Sequence, residues 1–198
     1  KLEAETVPIT IKTRKGETTV TIDEQPGNAN LEKIPSLRPA FSADGTVTAA
    51  NSSSISDGAS ALVLASANAV EARNLTPVAK IVAHTTNSRH PSEFTIAPVG
   101  AIEKLFEKTG WEKDDVDLFE INEAFAMVTM AAIKDLDLDP EKVNIYGGAC
   151  AQGHPVGSTG SRIIVTLMHA LKQTGGKKGI AALCIGGGEA TAVAIELV

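Results

Sequence analysis

Only two cysteines, Cys150 and Cys184, and four histidines occur in the 198 residues of this chain. They are too few and too scattered for a zinc cluster or a disulfide framework, and two free thiols fit a reducing compartment. Basic residues are outnumbered 18 to 24, which leaves a formal net charge of −6. A nucleic-acid partner would want a basic face, so that class is set aside. No run approaches the roughly 18 consecutive apolar residues of a membrane span, and no secretory signal opens the chain. An initiator Met is absent as well. Lys1-Leu2-Glu3-Ala4-Glu5 leads straight into strand-like sequence, from which further sequence ahead of Lys1 is expected. What remains is an ordinary globular composition, 43% hydrophobic and 21% charged, long enough for one sizeable or two small domains.

The first third reads as short β-rich runs and loops. Val7–Ile11 and Thr18–Ile22 flank a polar turn and predict a hairpin. A loop follows over Gln25–Asn30, marked by proline, glycine and asparagine. Val47–Ala50 predicts a short strand, and the small apolar run Ala59–Ala65 a strand buried on both faces. Ala67–Arg73 predicts a helix that Asn74-Leu75-Thr76-Pro77 stops. Beyond Pro77 the pattern alternates. Strands are predicted over Val78–His84, Val116–Ile121, Val143–Tyr146, Ile180–Ile185 and Thr191–Val198, with helices over Ala97–Thr109, Glu123–Asp135 and Ser161–Lys172. Strands alternating with helices of this length indicate an α/β layered domain, its last two strands pairing antiparallel.

Ligands of open α/β sheets sit outside the carboxyl ends of the strands. Three unusual stretches fall there: Asn122-Glu123-Ala124-Phe125-Ala126, the glycine-rich loop Gly147–Gly160, and Cys184-Ile185-Gly186-Gly187-Gly188. His154 is held between Gly153 and Pro155, in a rigid non-helical loop ahead of a helix, a placement that suits proton transfer. Its plainer role is a surface histidine in a glycine turn. Asn122 offers an amide to a water or an oxyanion, or simply caps the helix that follows. Cys184 offers a thiol for proton transfer, or is a small buried core residue. Lys33 and Arg38 are the basic groups near a loop that a phosphate could meet, with solvated surface charge as the alternative. It is the joint occurrence of amide, imidazole and thiol at strand ends that argues for chemistry.

At these residues the chain resembles the C-terminal half of a thiolase. The resemblance rests on the NEAFA box (Asn122–Ala126), the GGA-x-A-x-GHP-x-G-x-x-G-x-R box (Gly147–Arg162) and the CIGGG box (Cys184–Gly188). Upstream, Arg38-Pro39-Ala40-Phe41, Gly45–Asn51 and Asp57-Gly58-Ala59 follow in the same order. The resemblance implies a thiolase fold, a layered α/β structure with a mixed, mostly parallel five-stranded sheet covered by helices. Residues 1–54 would be the tail of the loop domain, 55–77 the last strand and helix of the N-terminal domain, and 78–198 the C-terminal domain.

It also implies an acyltransferase that condenses two acetyl-CoA units or cleaves a short 3-ketoacyl-CoA with CoA. His154 would activate a nucleophilic cysteine, and Cys184, with a depressed thiol pKa, would move the substrate's α-proton. Asn122 would position a water that forms an oxyanion hole with His154, and the amide of Gly186 would contribute to a second hole. Phe41, Ala49, Ser53, Ala124 and Phe125 would line the pantetheine route of coenzyme A, and Lys33 would approach the nucleotide phosphates. Phe94 and the run Ala49-Ala50-Asn51 are similar to the acetoacetyl-CoA thiolases of mitochondria, which implies potassium near Ala49, Ala50 and Ser52 and acceptance of 2-methyl-branched substrates. Coenzyme A would be substrate or product, with no tightly bound cofactor. Relatives are dimers or tetramers, so a homo-oligomer is implied, placed in the cytoplasm with the mitochondrion as the alternative.

Two departures stand out. The family's nucleophilic cysteine belongs to its first half and has no counterpart here, Cys150 being read as packing. Gln25–Asn30 also replaces a loop that carries an arginine in many relatives. The exposed surface left by an absent half implies a partner chain or domain. Two rivals follow from these gaps: a non-catalytic CoA-binding or assembly subunit, and a decarboxylating ketoacyl synthase relative, which would carry a second histidine in place of Cys184.

Overall fold

A computed structural model describes all 198 residues. The hairpin forms as β1 (Ile9–Thr13) and β2 (Gly16–Val20), antiparallel with Ile9 opposite Val20 and Lys12 opposite Glu17. The ladder therefore runs further into the polar turn than expected. Every residue of both strands is exposed. A short helix α1 (Ala67–Ala72) follows, its N-terminus capped by the Ser66 side chain, and Asn74 takes a left-handed conformation just beyond its end.

The second half builds three layers. A four-stranded sheet is formed by β3 (Ala79–Ser88), β4 (Leu118–Ile121), β5 (Lys178–Cys184) and β6 (Glu189–Leu197), in the spatial order β3-β6-β5-β4. Helices α2 (Ala97–Thr109) and α3 (Ala126–Asp135) cover one face. After the single turn α4 (Ala149–Gln152), the long helix α5 (Thr159–Thr174) covers the other. Strand alternation assigns the faces. Phe119 and Ile121 of β4, with Ile180 and Ala182 of β5, pack beneath Ile102 and Leu105 of α2. Leu118 and Ala181 point the opposite way, toward Ile163, Leu167 and Leu171 of α5. The alanines 190, 192 and 194 of β6 are buried in the first of these cores, where small side chains let helix and sheet approach closely.

The α/β layering and the antiparallel β5–β6 pair agree with the expectation. The sheet itself differs. It has four strands rather than five, and only β4–β5 is parallel, while β3–β6 and β5–β6 are antiparallel. The expected strand Val143–Tyr146 reduces to one bridge between Phe119 and Val143. Asn144 then adopts a positive φ of 48° and offers its side chain instead, accepting from the Ile121 amide and donating to the Ile121 carbonyl, each at 2.8 Å. A side-chain amide thus takes the place of the next strand on that edge of β4.

Two further expected strands are absent. Val47–Ala50 gives way to a 3-10 turn over Ala49–Asn51, because the Thr48 and Asn51 side chains cap it reciprocally. Ala59–Ala65 forms no ladder, and Val63 is 97% exposed. A strand needs a neighbour to take its amides and carbonyls, and none lies beside this one. No helix is long and apolar enough to cross a membrane.

Candidate active site

The site begins where β4 ends. Asn122 continues that strand by donating its amide to Ala182 of β5 at 2.9 Å, and its side chain is 1% exposed. Its Nδ2 lies 3.4 Å from Nε2 of His154, while its Oδ1 is buried without a partner. His154 is held by both backbone and side chain. Its amide donates to the Ser54 carbonyl at 2.9 Å, within an isolated bridge to Ile55. Its Nδ1 lies 2.7 Å from the hydroxyl of Thr159. Gly153 makes this turn feasible. It has a φ of +85°, and a Cβ there would fall 2.1 Å from the Ser56 hydroxyl. Burial, aided by the positive charge of Arg162, holds the imidazole pKa below its ordinary value, so His154 rests neutral.

Cys184 ends β5, on the strand adjacent to the one that carries Asn122. It is 7% exposed, and burial pushes its thiol pKa up. This corrects the expectation of a depressed pKa. The thiol lies in the apolar core with Ala182 and Ala190, and no cation faces it to stabilise a thiolate. Beyond it the chain turns tightly, Gly188 donating to Ile185 at 3.0 Å and accepting from Arg89 at 2.9 Å. Gly188 must be glycine: φ is +104°, and a Cβ would meet the Arg89 carbonyl at 2.4 Å. Gly186 is exposed at the tip, and its amide donates to no protein group.

A second cluster lies beside the first. Ser53 donates its amide and its hydroxyl to the carbonyl of Ala124, at 3.2 and 3.1 Å, and Ser52 bridges Phe125. These contacts explain why α3 starts at Ala126 rather than at Glu123 as expected. Phe125 meets Phe41 edge-on at a centroid distance of 6.1 Å and Phe94 at 6.3 Å. Phe41, Phe94, Phe125, Ala124 and Ser53 thus come together, with Ala49 one short turn from Ser53. Lys33 does not join them. It lies in an exposed 3-10 segment, Leu31–Ser36, and its ammonium meets no protein group.

Four positions with evident roles in this geometry were not singled out from the sequence. Glu123 accepts the Cys150 amide at 3.0 Å at the start of α4. Burial and that carboxylate push the Cys150 thiol up to about 12, which leaves it inert. Asn144 buttresses Ile121, the residue before Asn122. Glu120, 2% exposed, stands 3.9 Å from Arg162 of α5, and burial lifts its carboxyl to about 8 against the opposing pull of that guanidinium. A carboxylate inside the apolar run Leu118–Ile121 is the one readable sign of it. Thr159, the fourth, lay ahead of the helix expected from Ser161 and opens α5 instead.

Family models match along the chain. One described as "Thiolase, C-terminal domain" matches residues 75–197, and one described as "Thiolase, N-terminal domain" matches residues 1–68. The cytosolic acetyl-CoA acetyltransferase of Mus musculus is 50% identical over 98% of this chain and 50% of its own length. The acetyl-CoA acetyltransferase of Bacillus anthracis superposes with a TM-score of 0.93 at 47% identity, over 97% of this chain and 49% of that one. A thiolase of Ascaris suum in complex with coenzyme A superposes with a TM-score of 0.91 at 44% identity, over 100% of this chain and 50% of that one. The chain spans about half the length of the curated relatives it matches.

Proposed function

Because the chain belongs to the thiolase family, we propose that it supplies the proton-transfer and CoA-facing part of an acyl-CoA acyltransferase. The reaction would condense two acetyl-CoA to acetoacetyl-CoA, or run in reverse on short 3-ketoacyl-CoA. The observation that carries this reading is the approach of the Asn122 amide to the free face of His154, 3.4 Å from Nε2, beside the strand that ends in Cys184. A neutral imidazole is the form that can take a proton from a nucleophilic thiol. That thiol would come from outside this chain, since Cys150 is held far too basic.

Once the acyl group is on the nucleophile, the chemistry turns on a carbanion beside a thioester. Its enolate oxygen needs prearranged donors, and Asn122, through a water, and His154 would provide them. The unpaired amide of Gly186 would serve the oxygen of the second tetrahedral centre. Cys184 rests protonated because it is buried. In the cleavage direction it is therefore ready to protonate the departing enolate carbon, and in condensation its thiolate must form as the second thioester binds. The Phe41–Phe125–Phe94 cluster with Ala49, Ser53 and Ala124 would line the pantetheine route.

Residues 1–54, 55–77 and 78–198 are assigned to the loop domain, the N-terminal domain and the C-terminal domain. The exposed apolar side chains of the first of these, with Ile55, Val63 and Leu64, fit a covering partner: the remaining thiolase half, then a second copy in a homo-oligomer. The carbonyls of Ala49, Ala50 and Ser52 accept no protein hydrogen bond, and no acidic or histidine cluster stands by, so they suit a weakly held monovalent cation such as potassium. Rates that ignore potassium would remove that site. The free thiols suit the cytoplasm.

The test is acetoacetyl-CoA thiolysis by the full-length protein, with intact-mass detection of the acetylated intermediate. Turnover is expected, with the acetyl group outside residues 1–198. A protein that binds CoA yet never acetylates and never turns over would instead be the non-catalytic assembly subunit.

A further inference from the structure

We propose that Thr159 is a positioning residue that fixes the tautomer of His154, keeping the proton on Nδ1 and leaving the Nε2 lone pair turned toward Asn122. Thr159 is the first residue of α5 and is fully buried. Its hydroxyl makes two contacts, one to Nδ1 of His154 at 2.7 Å and one to the Pro155 carbonyl at 3.0 Å. A hydroxyl has a single proton, and a carbonyl can only accept. If that proton goes to Pro155, the hydroxyl oxygen is left to accept from Nδ1–H, and both contacts are hydrogen bonds.

The opposite tautomer fails at Thr159. The hydroxyl would have to donate to Nδ1, which sets its oxygen against the Pro155 carbonyl at 3.0 Å with no proton between them. At the far side of the ring, Nε2–H would face the Nδ2 donors of Asn122 at 3.4 Å. The Asn122 contact agrees with this proton position in the amide orientation of the structure. The reverse orientation would turn its unpartnered Oδ1 to Nε2, so the Thr159 contact carries the assignment. The arrangement has little freedom to relax. The Pro155 carbonyl also takes the amides of Ser158 and Thr159, at 2.8 and 2.9 Å, and the β-branched side chain of Thr159 has few rotamers. The use of the Nε2 lone pair in acyl transfer rests on the thiolase reading, but the tautomer itself does not.

The experiment reads the proton directly. Protein labelled with 15N-histidine is recorded in long-range 1H–15N imidazole correlation spectra near neutral pH, and His154 is assigned by the signals that vanish in His154→Gln. The expected result is a protonated Nδ1 and a bare Nε2 in the wild type and in Thr159→Ser. The isosteric Thr159→Val should shift the population toward Nε2–H, the form an unconstrained histidine prefers in water. A wild type carrying its proton on Nε2, or Thr159→Val with an unchanged tautomer, overturns the proposal. If Thr159→Val does not fold, the wild type and Thr159→Ser still decide, since Nε2–H in either one overturns it. In thiolysis, Thr159→Val should lower kcat by about ten- to a hundredfold with KM little changed, and Thr159→Ser should restore it. A wild type with the Nδ1 proton fixed but no thiolysis would remove the thiolase reading and leave this inference standing.

Discussion

Residues 1–96 contain no buried residue, whereas 97–198 hold all 36 of them. The contrast is one of partners rather than of composition. Ile9, Ile11, Ile55, Val63 and Leu64 are as apolar as Ile102, Leu105, Ile163, Leu167 and Leu171, yet the first set faces solvent and the second is enclosed. A β-run or an apolar stripe folds inward only when another layer lies against it. In the second half α2, α3 and α5 supply that layer on both faces of the sheet. Of residues 1–96, β3 is laddered into the sheet against β6. Residues 1–77 reach this body through looser contacts, among them Lys1 to Gln173, Glu5 to Thr166, Ser52–Ile55 to the Ala124 and His154 loops, Phe41 to Phe125, and Ser60 to Ser158 and Ser161. The difference teaches that the proposed proton-transfer groups stand on the enclosed half, while the residues proposed to guide coenzyme A are drawn from both, Phe41, Ala49 and Ser53 meeting Ala124 and Phe125.

The strongest way to break this division is to compare losses of turnover. His154→Ala and Cys184→Ser are expected to lower thiolysis by about 10²- to 10⁴-fold, with circular dichroism unchanged, since each removes a proposed proton-transfer group. Phe41→Ala, at the edge of the aromatic cluster and 77% exposed, should act mainly on KM. Equal losses of kcat from Phe41→Ala and His154→Ala would dissolve the distinction. In stability the order reverses toward the core. Phe119→Ala, from a side chain 1% exposed between β4 and α2, should cost about 3–5 kcal/mol in urea unfolding. A cost under about 1 kcal/mol would mean that the second half is loosely packed.

Much of the enclosed half was legible because its signals are local. Apolar spacing placed α2, and Gly110 in a left-handed conformation ends it where expected. The glycine turn between β5 and β6 announced an antiparallel pair, and of the three boxes those of Asn122 and Cys184 follow or end strands while that of His154 follows a turn. What stayed hidden depends on neighbours. Ala59–Ala65 has the composition of an interior strand and remains unpaired, because composition does not say whether a flanking strand is present. Val143–Tyr146 failed as a strand because the Asn144 side chain took over the edge of β4. The resemblance implied a depressed Cys184 pKa, and only the packing against Ala182 and Ala190 shows why burial raises it. Thr159 lay ahead of the helix expected from Ser161, yet it opens α5 and its hydroxyl turns back to the histidine.

The Glu120–Arg162 pair tests the enclosure of the second half by titration. Burial lifts the Glu120 carboxyl to about 8 from an ordinary value of 4.5, with Arg162 pulling it down and Glu5 and Glu123 adding smaller upward pushes. Between those two values the folded protein keeps a proton that the unfolded chain has released. The contribution of Glu120 to stability is therefore full below pH 4.5 and is lost as pH rises through about 8. The slope should be on the order of 1 kcal/mol per pH unit, and Glu120→Gln should flatten it. A wild-type profile that is already flat over this range would mean that the Arg162 charge outweighs burial and that water reaches the pair.

The smallest effect is the most discriminating one for the exposed half. Val63 is 97% exposed and Leu64 is 74% exposed, so neither loses apolar contacts when replaced. Val63→Ser should shift the urea midpoint of the 198-residue chain by no more than about 0.5 kcal/mol of stability, the usual range for surface changes. In the proposed assembly the same residue would lie under a covering layer. There a hydroxyl without a partner should cost about 1–3 kcal/mol and weaken association. A substitution silent in this chain and costly in the assembly would locate the interface at residues 59–65. Should Val63→Ser destabilise this chain by itself by more than about 1 kcal/mol, the run already packs in solution, and the contrast between the two halves is drawn in the wrong place.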